Sequence, residues 1–428
     1  MAASRIAMAG AAVLALAAPA WGRSMTEEEI LAGASERIER HRKADALVRV
    51  VGRDGAPVRN ARVGVEQVSQ AFLFGANAFP VLGFGDAERE RRYEEAFTGL
   101  MNYATLGFYW GAYEPAAGRT RAEDLARQAR WCQARGIAVK GHPLVWHEVY
   151  PGWAPAEVDA ARARLQERVS DVVLRFAGLI DRWDVVNEVT VSASAANGVG
   201  RWAARDGGLK VVEDSLAWAR RASPRGFLLY NDFNVGPAYI KLAQALVDGG
   251  APVDAFGIQS HMHGGEWPIP RVWEICETYA RFGRPLDWTE VTVLSGQHGW
   301  QRPPPWPTTP EGEARQADYV IKLYTVLFSH PAVEAITWWD LMDGAWQGAP
   351  AGLLRADLTA KPAYERLRSL VRGRWMTRAS LSTGSDGTAR FRGFLGRYRL
   401  TVTVDGRTAT REMDLSRGAG GTVVVPAP

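Results

Sequence analysis

The sequence predicts an α/β protein, specifically a (β/α)8 TIM barrel with a small flanking β-strand module. From residue 71 to about residue 372, short apolar runs alternate with longer amphipathic segments, and eight such runs can be counted. Eight strand–helix units in succession are typical of a closed barrel. No G-x-G-x-x-G opens a helix after the first run, so the open dinucleotide-binding sheet loses its main support.

The eight predicted strands are the apolar, β-branched runs of this region: 71–77, 103–107, 138–146, 182–188, 226–232, 255–261, 286–293 and 335–343. Between them lie segments such as 162–180 and 313–328, whose apolar residues recur at intervals of three and four, as expected for helices that pack on a barrel. One more helical segment, 361–371, follows the last strand. The barrel is therefore predicted to span residues 70–373.

Two flanks lie outside the barrel. Residues 25–69 are predicted to form a helix and a β-hairpin (45–68), and residues 377–426 a β-rich segment that turns at Asp405-Gly406. A lone hairpin is marginally stable in water. We therefore expect the two flanks to pair into one small β-sandwich attached to the barrel.

Composition and the N-terminus restrict where the protein acts. The chain has 51 basic and 47 acidic residues without a basic stripe, which argues against nucleic-acid binding. Residues 1–24 have the layout of a secretory signal peptide, with cleavage near Ala20 or Gly22. No other segment reaches the ~20 apolar residues of a membrane span. We expect a secreted or periplasmic monomer in which Cys132 and Cys276, distant in the fold, are buried free thiols.

Polar residues cluster at the C-terminal ends of six predicted strands, the end that forms the active-site face of a barrel. Glu188 ends the fourth strand and Glu290 lies in the seventh, so two carboxylates face a common mouth. Hydrolysis of a glycosidic bond uses such a pair, one as acid and one as nucleophile or base. Either Glu alone would more often be a salt-bridged strand end, but the Trp and Asn residues around them favour a sugar site.

Five motifs resemble the consecutive strand-end motifs of glycoside hydrolase family 10, the endo-β-1,4-xylanases: GHPLVWH (141–147), WDVVNE (183–188), YNDFN (230–234), GIQSHM (257–262) and WTEVTV (288–293). The resemblance implies a retaining β-glycosidase that acts on a polysaccharide or oligosaccharide without a metal or organic cofactor. It implies that Glu188 is the acid/base and Glu290 the nucleophile. The implied substrate-binding residues are His142, Trp146, Asn187, Phe233, Asn234, Gln259, His261, Trp339 and Trp346.

The sequence departs from the family pattern at two places. After the second strand, residues 105–115 lack the Glu, Asn and Lys that grip the distal sugar in the family and instead carry GFYWGAY. We therefore expect a distal subsite that is apolar or closed, shaped by Tyr109 and Trp110. The family's Asp two places after the nucleophile is Thr292 here. Either a different group steers His261, or the nucleophile is tuned differently.

Two other classes remain open. A non-catalytic carbohydrate-binding barrel is favoured by the lost Lys and opposed by both Glu residues. A metal-dependent hydrolase would use His142, His147, His261 and His263 with Glu290 or Asp343. The absence of H-E-x-x-H argues against it.

Overall fold

The computed structural model describes residues 24–296, 306–416 and 421–428, so the predicted signal peptide lies outside the described residues except for Ser24. The strands in chain order are β1 (Lys43–Val51), β2 (Arg62–Gln70), β3 (Leu73–Asn77), β4 (Tyr103–Gly107), β5 (Ala138–His142), β6 (Arg182–Asn187), β7 (Phe227–Asp232), β8 (Ala255–Met262), β9 (Leu286–Val293), β10 (Val333–Trp338), β11 (Arg378–Ser382), β12 (Thr388–Phe394), β13 (Gly396–Val404), β14 (Arg407–Leu415) and β15 (Gly421–Pro426).

The helices are α1 (Glu27–Ala32), α2 (Ala34–Arg42), α3 (Ala87–Leu100), α4 (Trp110–Tyr113), α5 (Ala122–Gln133), α6 (Val158–Arg175), α7 (Val189–Ser192), α8 (Gly198–Asp206), α9 (Gly208–Ala222), α10 (Pro237–Asp248), α11 (Ile269–Ala280), α12 (Pro310–Ser329) and α13 (Pro362–Ser369), which continues as a π-helical turn (Leu370–Arg374). Within the described residues, no helix combines the length and apolar character needed to cross a membrane.

Strands β3 to β10 form a closed parallel barrel, in which β10 pairs with β3. The predicted (β/α)8 fold is confirmed. All eight residues of β9 are buried, as expected for a parallel strand covered on both faces. Its polar residues are therefore held in the interior, where they need partners.

Two barrel strands end earlier than the sequence pattern predicts. The run 138–146 forms a strand only as far as His142, because Pro143 has no N–H to continue the ladder. The run 335–343 ends as a strand at Trp338. Trp146, Trp339 and Asp343 therefore lie on loops at the mouth of the barrel.

The two flanks share two sheets. One has the order β12-β1-β15 and the other β11-β2-β13-β14. The predicted 45–68 hairpin is wrong, because β1 and β2 belong to different sheets. Their inner faces, including Val48 and Val63, pack against each other in a separate hydrophobic cluster. The turn at Asp405-Gly406 does join two paired strands, β13 and β14.

The flanking module is fastened to the N-terminal side of the barrel. Arg42, at the end of α2, is 7% exposed and donates to the backbone oxygens of Phe328 (2.6 Å), His330 (2.5 Å) and Val333 (2.7 Å). The ring of Trp375 stacks on Phe328 at 4.2 Å. Cys132 and Cys276 are free and buried, as the sequence predicts.

Candidate active site

A cavity of about 510 Å³ opens at the C-terminal ends of the barrel strands. Its lining contains ten of the eleven predicted site residues: Glu188, Glu290, His142, Trp146, Asn187, Phe233, Gln259, His261, Trp339 and Trp346. It also contains Tyr109, expected to shape the distal subsite, and His263, considered as a metal ligand. Three further lining residues were not assigned to the site from the sequence: Glu148, Trp267 and Gln347. A larger cavity of about 700 Å³ lies at the opposite end, against the module. Only the first cavity contains the paired carboxylates.

Asn234 is the predicted site residue that does not line this cavity. Its backbone N–H donates to Asp232 Oδ1 at 2.9 Å. Asp232 also accepts from the Thr190 hydroxyl at 3.1 Å and from Tyr230. This group therefore holds α7, which follows Glu188, against the end of β7.

Glu290 lies within β9 and is 5% exposed. Its Oε1 accepts from Asn231 Nδ2 at 2.8 Å, and its Oε2 lies 3.0 Å from His261 Nε2. Burial alone would raise the pKa of Glu290, but the nearby His142 and His261 outweigh burial, and the pKa is lowered. Glu290 is therefore held as a carboxylate.

Glu188 follows β6 with left-handed backbone angles, φ 56° and ψ 41°, which are uncommon for a residue with a side chain. Its carboxylate accepts from Gln259 Nε2 at 2.9 Å and from Trp146 Nε1 at 3.0 Å. Burial and the charge of Glu290 nevertheless raise the pKa of Glu188 to about 7. Glu188 is thus about half protonated at pH 7, whereas Glu290 is ionised.

An amide network joins the two carboxyl groups. Asn231 Nδ2 donates to Glu290 and also to Asn187 Oδ1, at 2.8 Å each. Asn187 Nδ2 in turn donates to Glu188 Oε1 at 3.1 Å. Thr289 fixes the Asn231 amide by donating to its Oδ1 at 2.6 Å. The network sets the relative positions of the two acids from three different strands.

A buried ion pair supports the floor of the site. His142 Nδ1 lies 2.8 Å and Lys140 Nζ 2.7 Å from Asp184 Oδ2, and all three side chains are almost fully buried. Burial would raise the pKa of Asp184, but Lys140 and His142 lower it, so Asp184 is ionised and accepts a hydrogen bond from His142 Nδ1. Sequence interpretation missed Lys140 and Asp184. The available signal was a charge in the middle of each of two strands that the barrel buries.

Thr292 occupies the position behind His261. Its hydroxyl lies 2.8 Å from His261 Nδ1 and donates to the Trp339 backbone oxygen at 2.8 Å. Thr292 therefore contacts the His261 ring from the position that the family gives to Asp. Trp346 stacks on a face of this imidazole, with ring centroids 5.0 Å apart and planes inclined by 11°.

Aromatic rings form one wall of the cavity. Tyr109 contacts Phe79 at 5.7 Å, His142 at 5.5 Å and Trp146 at 5.4 Å between ring centroids. Phe79 also meets Trp339 edge to face at 5.3 Å. Tyr109 therefore stands in the region where the sequence lacks the distal-sugar residues.

Trp110, by contrast, points away from the cavity. It is 5% exposed, packs against Tyr150 and Trp153, and donates to Glu114 at 3.0 Å. Its expected role in shaping the distal subsite is wrong, because the short helix α4 turns this ring into the core.

The histidines proposed for a metal-dependent hydrolase do not converge. In the described part of the chain, only His147, Glu148 and Glu188 place potential ligand atoms within 4.8 Å of one another. That trio differs from the expected set. His142 instead contacts Asp184, and His261 contacts Glu290.

Comparison with known proteins agrees with this geometry. Residues 83–370 match the sequence profile of Glycosyl hydrolase family 10. The chain is 28% identical over 403 residues to the anti-sigma-I factor RsgI6 of Acetivibrio thermocellus, covering 90% of this chain and 48% of that protein. It is 27% identical over 307 residues to endo-1,4-beta-xylanase B of Thermotoga neapolitana, covering 67% of this chain and 84% of the xylanase.

Solved structures show the same fold. A family 10 structure from Paenibacillus barcinonensis aligns with a TM-score of 0.60 at 25% identity, covering 71% of this chain and 96% of that one. Xylanase 10B from Thermotoga petrophila, solved with xylobiose, aligns with a TM-score of 0.60 at 24% identity, covering 71% and 95% of the respective chains. The profile match, which extends over most of the barrel, shows that this chain belongs to glycosyl hydrolase family 10.

Proposed function

We propose that this chain is a retaining β-glycosidase that cleaves β-1,4-linked xylan or a related β-glycan. The observation that carries the proposal is the pair Glu188 and Glu290, whose pKa values are displaced in opposite directions within one hydrogen-bond network. Two carboxyl groups with pKa values pushed apart are what acid and nucleophile roles require. The named xylanases among the relatives support xylan as the substrate class.

The proposed reaction has two displacements. Glu290 attacks the anomeric carbon while protonated Glu188 donates its proton to the departing glycosidic oxygen, which leaves a glycosyl ester on Glu290. Glu188, now ionised, then takes a proton from water, and the hydroxide equivalent displaces Glu290 from the sugar. Configuration is retained and both carboxyl groups return to their starting states.

Substrate preference is proposed to differ from that of an ordinary xylanase. The wall formed by Tyr109, Trp146 and Trp339, with Phe79 packed against two of these rings, offers ring faces where family members grip hydroxyl groups. Stacking without polar contacts discriminates weakly between hydroxyl patterns. We therefore expect modest activity on plain linear xylan, together with export of the protein directed by residues 1–24.

The proposal is tested with Glu290→Ala and Glu188→Ala. Glu290→Ala should abolish turnover on every substrate. Glu188→Ala should largely spare aryl glycosides with good leaving groups and slow polysaccharide hydrolysis by roughly 10²–10⁴-fold, because only poor leaving groups need the acid. Glu365→Ala, which removes an exposed carboxylate on α13, is the matched control.

Product stereochemistry gives a separate check. ¹H NMR during hydrolysis should show the β-anomer first. Inverted product would exclude the nucleophile role of Glu290. Full activity of Glu290→Ala would exclude the proposed site, and binding without any hydrolysis by the unmodified protein would favour the carbohydrate-binding alternative.

A further inference from the structure

The two segments that leave the ends of β4 and β5 carry the aromatic wall of the cavity. A backbone bond from Phe108 N to His142 O at 2.6 Å joins them, and another runs from Gly111 N to Val149 O at 2.7 Å. Leu144 N, which would continue the β4–β5 ladder, instead donates to a backbone oxygen of β6 at 3.0 Å. The backbone between these two bonds therefore needs other groups to satisfy and hold it.

Arg168 reaches both segments at this place. It lies on α6 and is 2% exposed. Its Nη2 donates to the Phe108 backbone oxygen at 2.5 Å, and its Nε donates to the Leu144 backbone oxygen at 3.2 Å. A guanidinium presents its donors in a rigid plane, so the two bonds fix the distance between these carbonyl groups.

The same guanidinium also packs against α4, the short helix that begins directly after Tyr109. Its central carbon lies 5.5 Å from the ring centroid of Trp110 and 5.2 Å from that of Tyr113. A cation is attracted to an aromatic ring in this arrangement. Arg168 therefore contacts the residue before Tyr109 and the residue after it, although Arg168 itself does not line the cavity.

The position of Arg168 in the interior is costly for a cation. Burial lowers the pKa of Arg168 to about 10, so the side chain is still charged in neutral solution. A buried charge is unfavourable unless hydrogen bonds compensate for its lost hydration. Other buried positions of α6, such as Leu165, Val169 and Val172, are apolar. An Arg among them indicates a specific task rather than core filling.

We propose that Arg168 is a positioning residue for substrate recognition, which fastens the segments after β4 and β5 together and so sets the spacing of Tyr109 and Trp146. The ring centroids of these two residues are 5.4 Å apart. Tyr109 directly follows Phe108, and Trp146 lies two residues after Leu144. The inference rests on the proposed function, because the aromatic wall is taken to bind the distal sugar of a β-glycan.

Kinetics on two substrates isolate the distal sugar. An aryl β-xyloside has a single sugar, whereas the second sugar of an aryl β-xylobioside reaches the wall. Arg168→Met keeps an unbranched side chain but removes both donors, so it should reduce the gain in kcat/KM from the second sugar about fivefold, mainly through KM. Arg168→Lys keeps the charge without the planar fork and should recover part of the loss.

Arg42→Met is the matched control. Arg42 is also a buried Arg that donates to backbone oxygens, but it lies at the opposite end of the barrel. Assayed well below the unfolding temperature of each variant, Arg42→Met should keep the full gain from the second sugar. An equal loss in Arg42→Met and Arg168→Met would make Arg168 merely structural and overturn the inference.

A double-mutant cycle examines whether Arg168 acts through Tyr109. In a Tyr109→Ala background, Arg168→Met should have little further effect on the gain from the second sugar, because the ring that Arg168 positions is absent. Losses that simply add would contradict the inference.

A structural measurement without substrate separates this inference from the proposed function. In a crystal structure of Arg168→Met, the ring centroids of Tyr109 and Trp146 should be farther apart than 5.4 Å. Arg168→Lys, the milder change, provides the same measurements if Arg168→Met does not fold. Unmoved rings would overturn the inference whatever the protein hydrolyses. Displaced rings in a protein that hydrolyses no glycoside would support the positioning role while the proposed function fails.

Discussion

At the scale of single residues, two glutamates of identical chemistry acquire opposite roles from their surroundings. Burial is the main reason that the pKa of Glu188 is raised to about 7, whereas His142 and His261 lower the pKa of Glu290 despite its burial. An environment of this kind is how an enzyme obtains an acid and a base from the same side chain. The pH dependence of the rate should therefore report both groups.

We predict that kcat/KM falls as pH rises through about 7, because protonated Glu188 is then lost. On the acid side the rate should hold until pH falls below the ordinary carboxylate range, because Glu290 stays ionised. A pH–rate profile on xylo-oligosaccharides measures both limits. Glu188→Ala, assayed on an activated aryl glycoside, should lose the alkaline limit; an alkaline limit that survives would mean that another group sets it.

Residues at strand ends could be predicted from the sequence, because a polar group at the C-terminal end of a buried strand has few structural uses. Residues that act by positioning another side chain could not be predicted in this way. Asp184 lies on the strand of Asn187, and Asn231 lies just before Phe233 and Asn234, but their importance depends on which side chain each one contacts. Such contacts between strands are not encoded in local spacing.

At the scale of secondary-structure elements, the segment after β4 determines the shape of the cavity. Tyr109 lies at the start of α4 and faces His142 and Trp146, whereas its neighbour Trp110 is turned into the core. The aromatic composition of this segment was evident from the sequence. A four-residue helix that sends adjacent rings in opposite directions was not.

We predict that Tyr109→Ala changes the relative rates on xylan, substituted xylans and other β-glycans, because it opens the aromatic wall. Trp110→Phe should keep the unmodified substrate profile, because the Trp110 ring contacts Tyr150, Arg168 and Glu114 and does not line the cavity. Initial rates on a panel of β-glycans provide the comparison. Equal profiles for Tyr109→Ala and the unmodified protein would show that this wall does not select the substrate.

Alternation of apolar and polar residues predicted the flanking strands but not their partners. β1 and β2 both alternate, and a short connection between two such strands usually means a hairpin. Here β1 and β2 each pair with strands from the C-terminal part of the chain, in two different sheets. The two sheets bury their apolar faces against each other, whereas a hairpin would place both strands in a single sheet. The local sequence pattern determines that a segment forms a strand, whereas packing of the whole module determines which strands it pairs with.

At the scale of the whole molecule, the module and the catalytic machinery occupy opposite ends of the barrel. The junction depends on Arg42, whose guanidinium donates to three backbone oxygens at the end of α12 and the start of β10. Removing a buried donor of this kind leaves its acceptors without partners. The free energy of unfolding should therefore depend on Arg42, and the catalytic rate should not.

We predict that Arg42→Ala lowers the free energy of unfolding by about 3 kcal/mol, within the range measured when one partner of a buried charged contact is removed. Its kcat/KM at temperatures well below the unfolding transition should match that of the unmodified protein, because the cavity lies at the other end of the strands. Arg40→Ala is the control: the same helix loses only an exposed contact with Glu36, worth at most about 0.5 kcal/mol. Denaturant unfolding measures the difference.

If Arg42→Ala were as stable as Arg40→Ala, the three carbonyl contacts would not hold the junction. If Arg42→Ala lost activity while still folded, the module would have to influence the active site through the length of the barrel.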